Sequence, residues 1–83
     1  MLQRCLEKRQ KIYLKISNSG YFSLKKIDIF INGVYLATDE PPFNFSFTPN
    51  ELANLQDTNE LKIVSYDVAY NHNETTVFFK VKQ

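Results

Sequence analysis

The sequence predicts an all-β sandwich of six to seven short antiparallel strands, and three observations carry that prediction. Asn32-Gly33 stands between two apolar runs, Ile27–Ile31 and Val34–Leu36. Both central residues of so tight a turn need φ > 0, which makes Asn-Gly the strongest short-range hairpin signal. Apolar and polar side chains alternate strictly in Lys11–Ser17 and in Phe43–Phe47, the period of a half-buried strand. Strand-like runs then recur at a spacing of about 8–14 residues, with no long helical period between them.

Register follows from the turn. A regular two-residue hairpin sets Ile31 opposite Val34, Ile29 opposite Leu36 and Ile27 opposite Thr38 on one face. Phe30 then meets Tyr35, and Asp28 meets Ala37, on the other. The first face is almost wholly aliphatic and reads as one wall of the core.

The remaining elements fall in order along the chain. Residues 1–10 (MLQRCLEKRQ) are polar, with Leu2 and Leu6 four apart, and read as a linker or tail with at most a turn or two of helix. The domain itself is expected over residues 11–83. Its first strand is Lys11–Ser17, with Ile12, Leu14 and Ile16 inward, followed by a turn at Asn18-Ser19-Gly20. After the hairpin, Asp39-Glu40-Pro41-Pro42 makes a rigid loop, since proline fixes φ and removes a donor. Phe43, Phe45 and Phe47 then share one face of a strand. Thr48-Pro49-Asn50-Glu51 has the pattern of a helix start, with proline at the first position and Glu three residues after Thr, and predicts one turn reaching Leu52 and Leu55. Glu60–Val68 is apolar on both faces, as a central strand should be. Tyr70–Asn73 is a turn, and Glu74–Lys82 is the last strand, with Thr75, Val77, Phe79 and Val81 on one face.

Composition narrows function more by exclusion than by assignment. Eighty-three residues suffice for one domain, and 43% hydrophobic content is ample for a core. Ten Lys and Arg against nine Asp and Glu leave a net charge of +1, so no global field recommends nucleic acid or an anionic membrane as partner. Cys5 is the only cysteine, which rules out an internal disulfide. No apolar run is long enough for a membrane-inserted helix, and no charged-then-apolar leader opens the chain. If the protein is exported, its leader is expected outside these residues, with Met1 as an expression start on an excised domain.

The series Lys25–Thr38 (KKIDIFINGVYLAT), Pro41–Leu52 (PPFNFSFTPNEL) and Asn59–Val81 (NELKIVSYDVAYNHNETTVFFKV) resembles bacterial immunoglobulin-like modules. Such modules are appended to penicillin-binding proteins, at their C-terminal end, and to glycoside hydrolases, peptidases and surface proteins. Ile31-Asn32-Gly33, Pro42-Phe43, Leu52 or Leu55, Ser65-Tyr66-Asp67 and Asn71 occupy the positions of that pattern. The match spans about residues 11–82, and every matched position is structural. Tyr70 stands where such modules usually carry glycine, and Asn54–Asn59 lacks their usual glycine. The resemblance implies an immunoglobulin-like fold in an exported bacterial protein, extracellular or at the cell envelope. It implies a non-catalytic accessory or spacer role, without cofactor, through contact with a neighbouring domain, another protein or the cell wall. A stand-alone glycan- or protein-binding β-sandwich is the alternative.

Candidate chemistry is sparse. Asp67 and Asn71 flank a turn and offer oxygens to Ca²⁺, with Asp57 or Glu74, but turn amides are the commoner partners of such side chains. His72 is the only histidine; a polar loop around it is no place for a dry metal or triad site. Cys5 reads as an inert thiol, and Asp39-Glu40 as solvated loop charge rather than an acid–base pair. The sequons at Asn44 and Asn73 are accidental if the source is bacterial. No catalytic, cofactor-binding or metal-binding residue is assigned.

One surface remains. With Ile27, Ile29, Ile31, Leu61, Ile63, Val77 and Phe79 inward, Phe30, Tyr35, Val64, Tyr66 and Phe78 point outward. Five large apolar side chains on one outer face predict a contact surface, unless edge loops, the N-terminal tail or a second sheet cover it.

Overall fold

The Asn-Gly turn organises the molecule. In the computed structural model Asn32 and Gly33 both adopt positive φ, 52° and 80°, the backbone of the hairpin turn that favours these two residues. The structure describes residues 4–14 and 23–82. Its strands are β1 (Arg4–Glu7), β2 (Ile12–Tyr13), β3 (Leu24–Ile31), β4 (Val34–Asp39), β5 (Ser46–Phe47), β6 (Thr58–Asp67) and β7 (His72–Lys82), with a 3₁₀ turn at Pro49–Glu51. Five strands form one sheet in the order β1-β7-β6-β3-β4, and β2 pairs with β5 in a second, small sheet.

Three expectations need correction. The first ten residues are not simply a tail: Arg4–Glu7 runs parallel to β7, with Arg4 opposite Phe79 and Glu7 opposite Lys82. The hairpin register holds for Ile31–Val34 and Phe30–Tyr35, then slips at a β-bulge. Leu36 is left without an opposing residue, so Ile29 meets Ala37, Asp28 meets Thr38 and Ile27 meets Asp39. Of the strand expected at Lys11–Ser17, Ile12–Tyr13 forms among the described residues, and the strand expected at Phe43–Phe47 contracts to Ser46–Phe47. Residues 15–17 of the first, and the turn at 18–20, lie outside the described residues.

The core sits between the large sheet and the β2–β5 layer. Ile27, Ile29 and Ile31 from β3 are fully buried with Leu61, Phe79 and Val81, against Phe47 and Leu52 from the opposite layer. Each such side chain contributes about 1.5–3 kcal/mol of transfer free energy. Ile12, Leu14, Phe43, Phe45, Leu55 and Ile63 pack around it, half-buried. Three residues expected inward are exposed instead. Val34 and Leu36 belong to the edge strand β4, and Val77, 44% exposed, lies past the end of β1, which pairs only with Phe79–Lys82.

The predicted helical turn forms as 3₁₀ and goes no further. Thr48 occupies the capping position without a side-chain hydrogen bond, and Leu52 is already extended. The segment is tied to the β1–β2 connection by the Asn50 amide, which donates to the Lys8 carbonyl at 2.8 Å. That bond helps place Leu52 over the core.

Candidate functional site

The outward face of the large sheet carries the residues singled out by alternation. Cross-strand register sets Tyr35, Phe30, Lys62 and Thr76 in one row, Thr38, Asp28, Val64 and Glu74 in the next, and Lys26, Tyr66 and His72 in a third. Phe78 lies opposite Glu60 on the same face. The β2–β5 layer packs on the other face, so among the described residues this one has no second sheet over it.

The face is a mixed aromatic and charged surface rather than a greasy one. Phe30 and Tyr35 meet edge to face, ring centres 5.9 Å apart, an arrangement worth about 0.5–1.5 kcal/mol beyond area burial. The Lys62 ammonium lies 5.1 Å from the centre of the Phe30 ring, and that of Lys26 lies 4.7 Å from the Tyr66 ring. Such cation–π contacts contribute about 0.5–1 kcal/mol at exposed sites. Lys26 also reaches Asp28 at 3.8 Å. Asp28 in turn accepts from the Thr38 hydroxyl at 2.6 Å, and Thr38 shares a 2.7 Å hydrogen bond with the Tyr35 hydroxyl. His72, exposed at the start of β7 rather than in the expected loop, sits 6.1 Å from Tyr66.

Exposure is uneven among the five candidates. Tyr35 is 56% exposed and Phe30, Tyr66 and Phe78 are half-buried, whereas Val64 is only 7% exposed. Val64 therefore offers little contact area. Its neighbours on the face are Lys62 and Tyr66 along the strand and Asp28 and Glu74 across it, all with longer side chains than its own.

A second constellation was not visible from sequence. Asn59, 0% exposed, is the one buried polar residue among those described. Its Oδ1 accepts from Asn32 Nδ2 at 3.0 Å and from the Gln56 amide at 2.7 Å, while its Nδ2 donates to the Gln56 carbonyl at 2.7 Å. Asn32 donates also to the Asn54 carbonyl, and its Oδ1 accepts from the Glu60 amide. Asn54 Nδ2 closes the circuit on the Ile31 carbonyl at 2.7 Å. The network locks the hairpin turn to the loop before β6, and the amide atoms named bond one another or nearby backbone groups, so it is structural. The only available signal was the count of Asn around two turns.

Asp67 and Asn71 are bound to each other within their turn. Asp67 Oδ1 accepts from the amides of Ala69 and Asn71 at 2.8 and 3.0 Å, and Oδ2 accepts from Asn71 Nδ2 at 3.1 Å. Desolvation is the largest influence on this carboxyl and pushes its pKa up, but the hydrogen bonds from Asn71 and Ala69 together outweigh it and hold the group below 3.8. Tyr70 sits in this turn with φ 69°, the left-handed region that favours glycine. Among the described residues no three His, Cys, Asp or Glu side chains gather into a possible metal site, and no helix is long and apolar enough to cross a membrane.

Two packed β-layers, the larger ending in a hairpin edge, make the chain an immunoglobulin- or fibronectin type III-like β-sandwich. It is similar over 100% of its length, and over 92% of the other chain, to a solved structure of CbhA fibronectin(III)-like modules from Clostridium thermocellum, with a TM-score of 0.66. Sequence identity is 17%, so the likeness is one of fold. No protein-family model and no curated protein matches the sequence.

Proposed function

We propose that the chain is a non-catalytic accessory module of a larger exported bacterial protein, docking a neighbouring domain on the outer face of its large sheet. The carrying observation is that Tyr35, Phe30 and Tyr66 lie together on a face with no second sheet over it among the described residues. One exposed and two half-buried aromatics flanked by charges have the composition of an interface centre with a polar rim. Fold likeness to modules described as fibronectin(III)-like supports the accessory role; such folds host many functions, so the site and not the fold has to carry the contact. An extracellular or cell-envelope location belongs to this reading, as does a partner drawn from the same chain, a cell-wall glycan or an envelope protein. The near-neutral charge argues against nucleic acid.

The test is a nuclear magnetic resonance titration of the labelled module with the polypeptide that adjoins it in its own gene. Amide shifts are expected to cluster at Phe30, Tyr35 and Tyr66, and to vanish in Phe30→Ser/Tyr35→Ser, which keeps its fold. Shifts clustering elsewhere, or loss of folding in the double variant, would sink this reading. If the gene encodes nothing beyond this module, the stand-alone binding protein takes its place.

A further inference from the structure

We propose that the chain forms a two-fold symmetric dimer in which β4 pairs antiparallel with β4 of a second copy, about an axis between Leu36 and Ala37. The proposal does not depend on the outer face having a partner. β4 is a terminal strand of the large sheet, and an edge strand presents backbone donors and acceptors that template another strand. The guards of this edge are the bulge at Leu36 and the terminal Asp39; Val34–Thr38 itself contains neither charge nor proline, and Val34, Tyr35 and Leu36 are all exposed.

The bulge selects the register. Side chains alternate faces along a regular strand, so a strand pairs with its own copy about a residue, not between two. In β4 the extra residue changes that parity. Leu36 and Ala37 both line the inward groove, an open cleft of about 250 Å³ floored by Phe45, Phe47 and Leu52. Tyr35 and Thr38 share the outer face, where their hydroxyls bond. Val34 and Asp39 lie opposite the inward Ile31 and Ile27.

An axis between Leu36 and Ala37 therefore matches faces all along the strand. Leu36 meets Ala37 of the second copy, Tyr35 meets Thr38, and Val34 meets Asp39. No charge faces a charge. Each copy brings its own Leu36 to the mouth of the other's groove, covering apolar surface that the β4–β5 gap leaves open. The ten strands of the two large sheets become continuous. With only six residues per strand the interface is small, so the dimer is a weak one that populates at high protein concentration.

Sedimentation velocity of the 83-residue chain across about 10 μM to 2 mM reads the association directly. Tyr35→Lys/Thr38→Lys sets two pairs of like charges face to face and is expected to weaken the dimer about tenfold. Tyr35→Lys/Thr38→Glu sets opposite charges at the same positions and should leave it within about twofold of the original. Circular dichroism establishes that both variants fold. Isotope-filtered contacts from Tyr35 of a labelled copy to Thr38 of an unlabelled one decide the register without any substitution. A chain that stays monomeric over this range overturns the proposal, even if it captures an added extended peptide. Equal weakening by the two double variants, or intermolecular contacts in another register, overturns it as well.

Discussion

Strand β3 shows two faces of one backbone in different physical states. Inward, Ile27, Ile29 and Ile31 are sealed beneath Phe47 and Leu52. Outward, Lys26, Asp28 and Phe30 alternate with them, and the residues of this face contact one another: lysine ammonium groups lie over rings, and Asp28 holds Lys26 and the Thr38 hydroxyl. The pleat decides which side chains share a face. What then covers each face depends on chain topology. Among the described residues, one face is stabilised by a second layer and the other by its own side chains.

The largest test of that contrast is Ile29→Ala against Phe30→Ala, one residue apart. Ile29 is fully buried, and its truncation leaves a cavity that the β2–β5 layer cannot close, costing about 3–4 kcal/mol. Phe30 loses an edge-to-face partner and a lysine contact in a half-exposed setting, costing about 1–1.5 kcal/mol. Urea unfolding of both variants gives the difference. Equal costs would mean that the outer face is as fully packed as the inner one, and the contrast would collapse.

A sharper form of the contrast sits at the inner face itself, where Asn59 is as buried as the isoleucines. Asn59→Leu keeps the volume but strands the Gln56 amide and carbonyl and leaves Asn32 short of one acceptor. Unpaired buried groups cost about 1–3 kcal/mol, so a loss of about 2 kcal/mol is expected despite the more apolar side chain. Amide exchange at Gln56 should accelerate in parallel. A neutral or stabilised Asn59→Leu would show that water reaches the network and that this position is not truly interior.

How much of this was legible in the sequence follows from the range of each interaction. The hairpin, the central strand, the Phe43/Phe45/Phe47 face and the proline-started turn are written in neighbouring residues, and a two-residue turn fixes its own strands. The bulge at Leu36 was not legible, because nothing in VYLAT distinguishes a strand that continues its register from one that slips. Parallel pairing of Arg4–Glu7 with β7 joins the two ends of the chain, and no local pattern reports such a partner. The lysines over Phe30 and Tyr66 required the β3–β6 register, which is set by packing across the core. The same holds for the Asn32–Asn54–Asn59 network, which spans 27 residues between Asn32 and Asn59. Tyr70 shows the converse: its place in a glycine position was readable, and the structure answers with a positive φ.

The smallest expected effect compares the buried Asn59 with its solvent-side counterpart. Asp67 does the same work at the far end of β6, gathering loop amides on a side-chain oxygen, but in contact with water. Because its folded pKa lies below the unfolded value, its contribution is fully present above about pH 4 and is lost as pH falls through the folded pKa. Asp67→Asn keeps an oxygen for the amides and removes the charge, so the stability gap to the parent should be open at neutral pH and narrow as the parent protonates. Urea midpoints of the two proteins between about pH 7 and pH 2.5 trace the gap. A gap that stays constant across that range would mean that the Asn71 and Ala69 hydrogen bonds do not depend on the carboxylate charge. The two Asx-type side chains of β6 would then differ in burial alone.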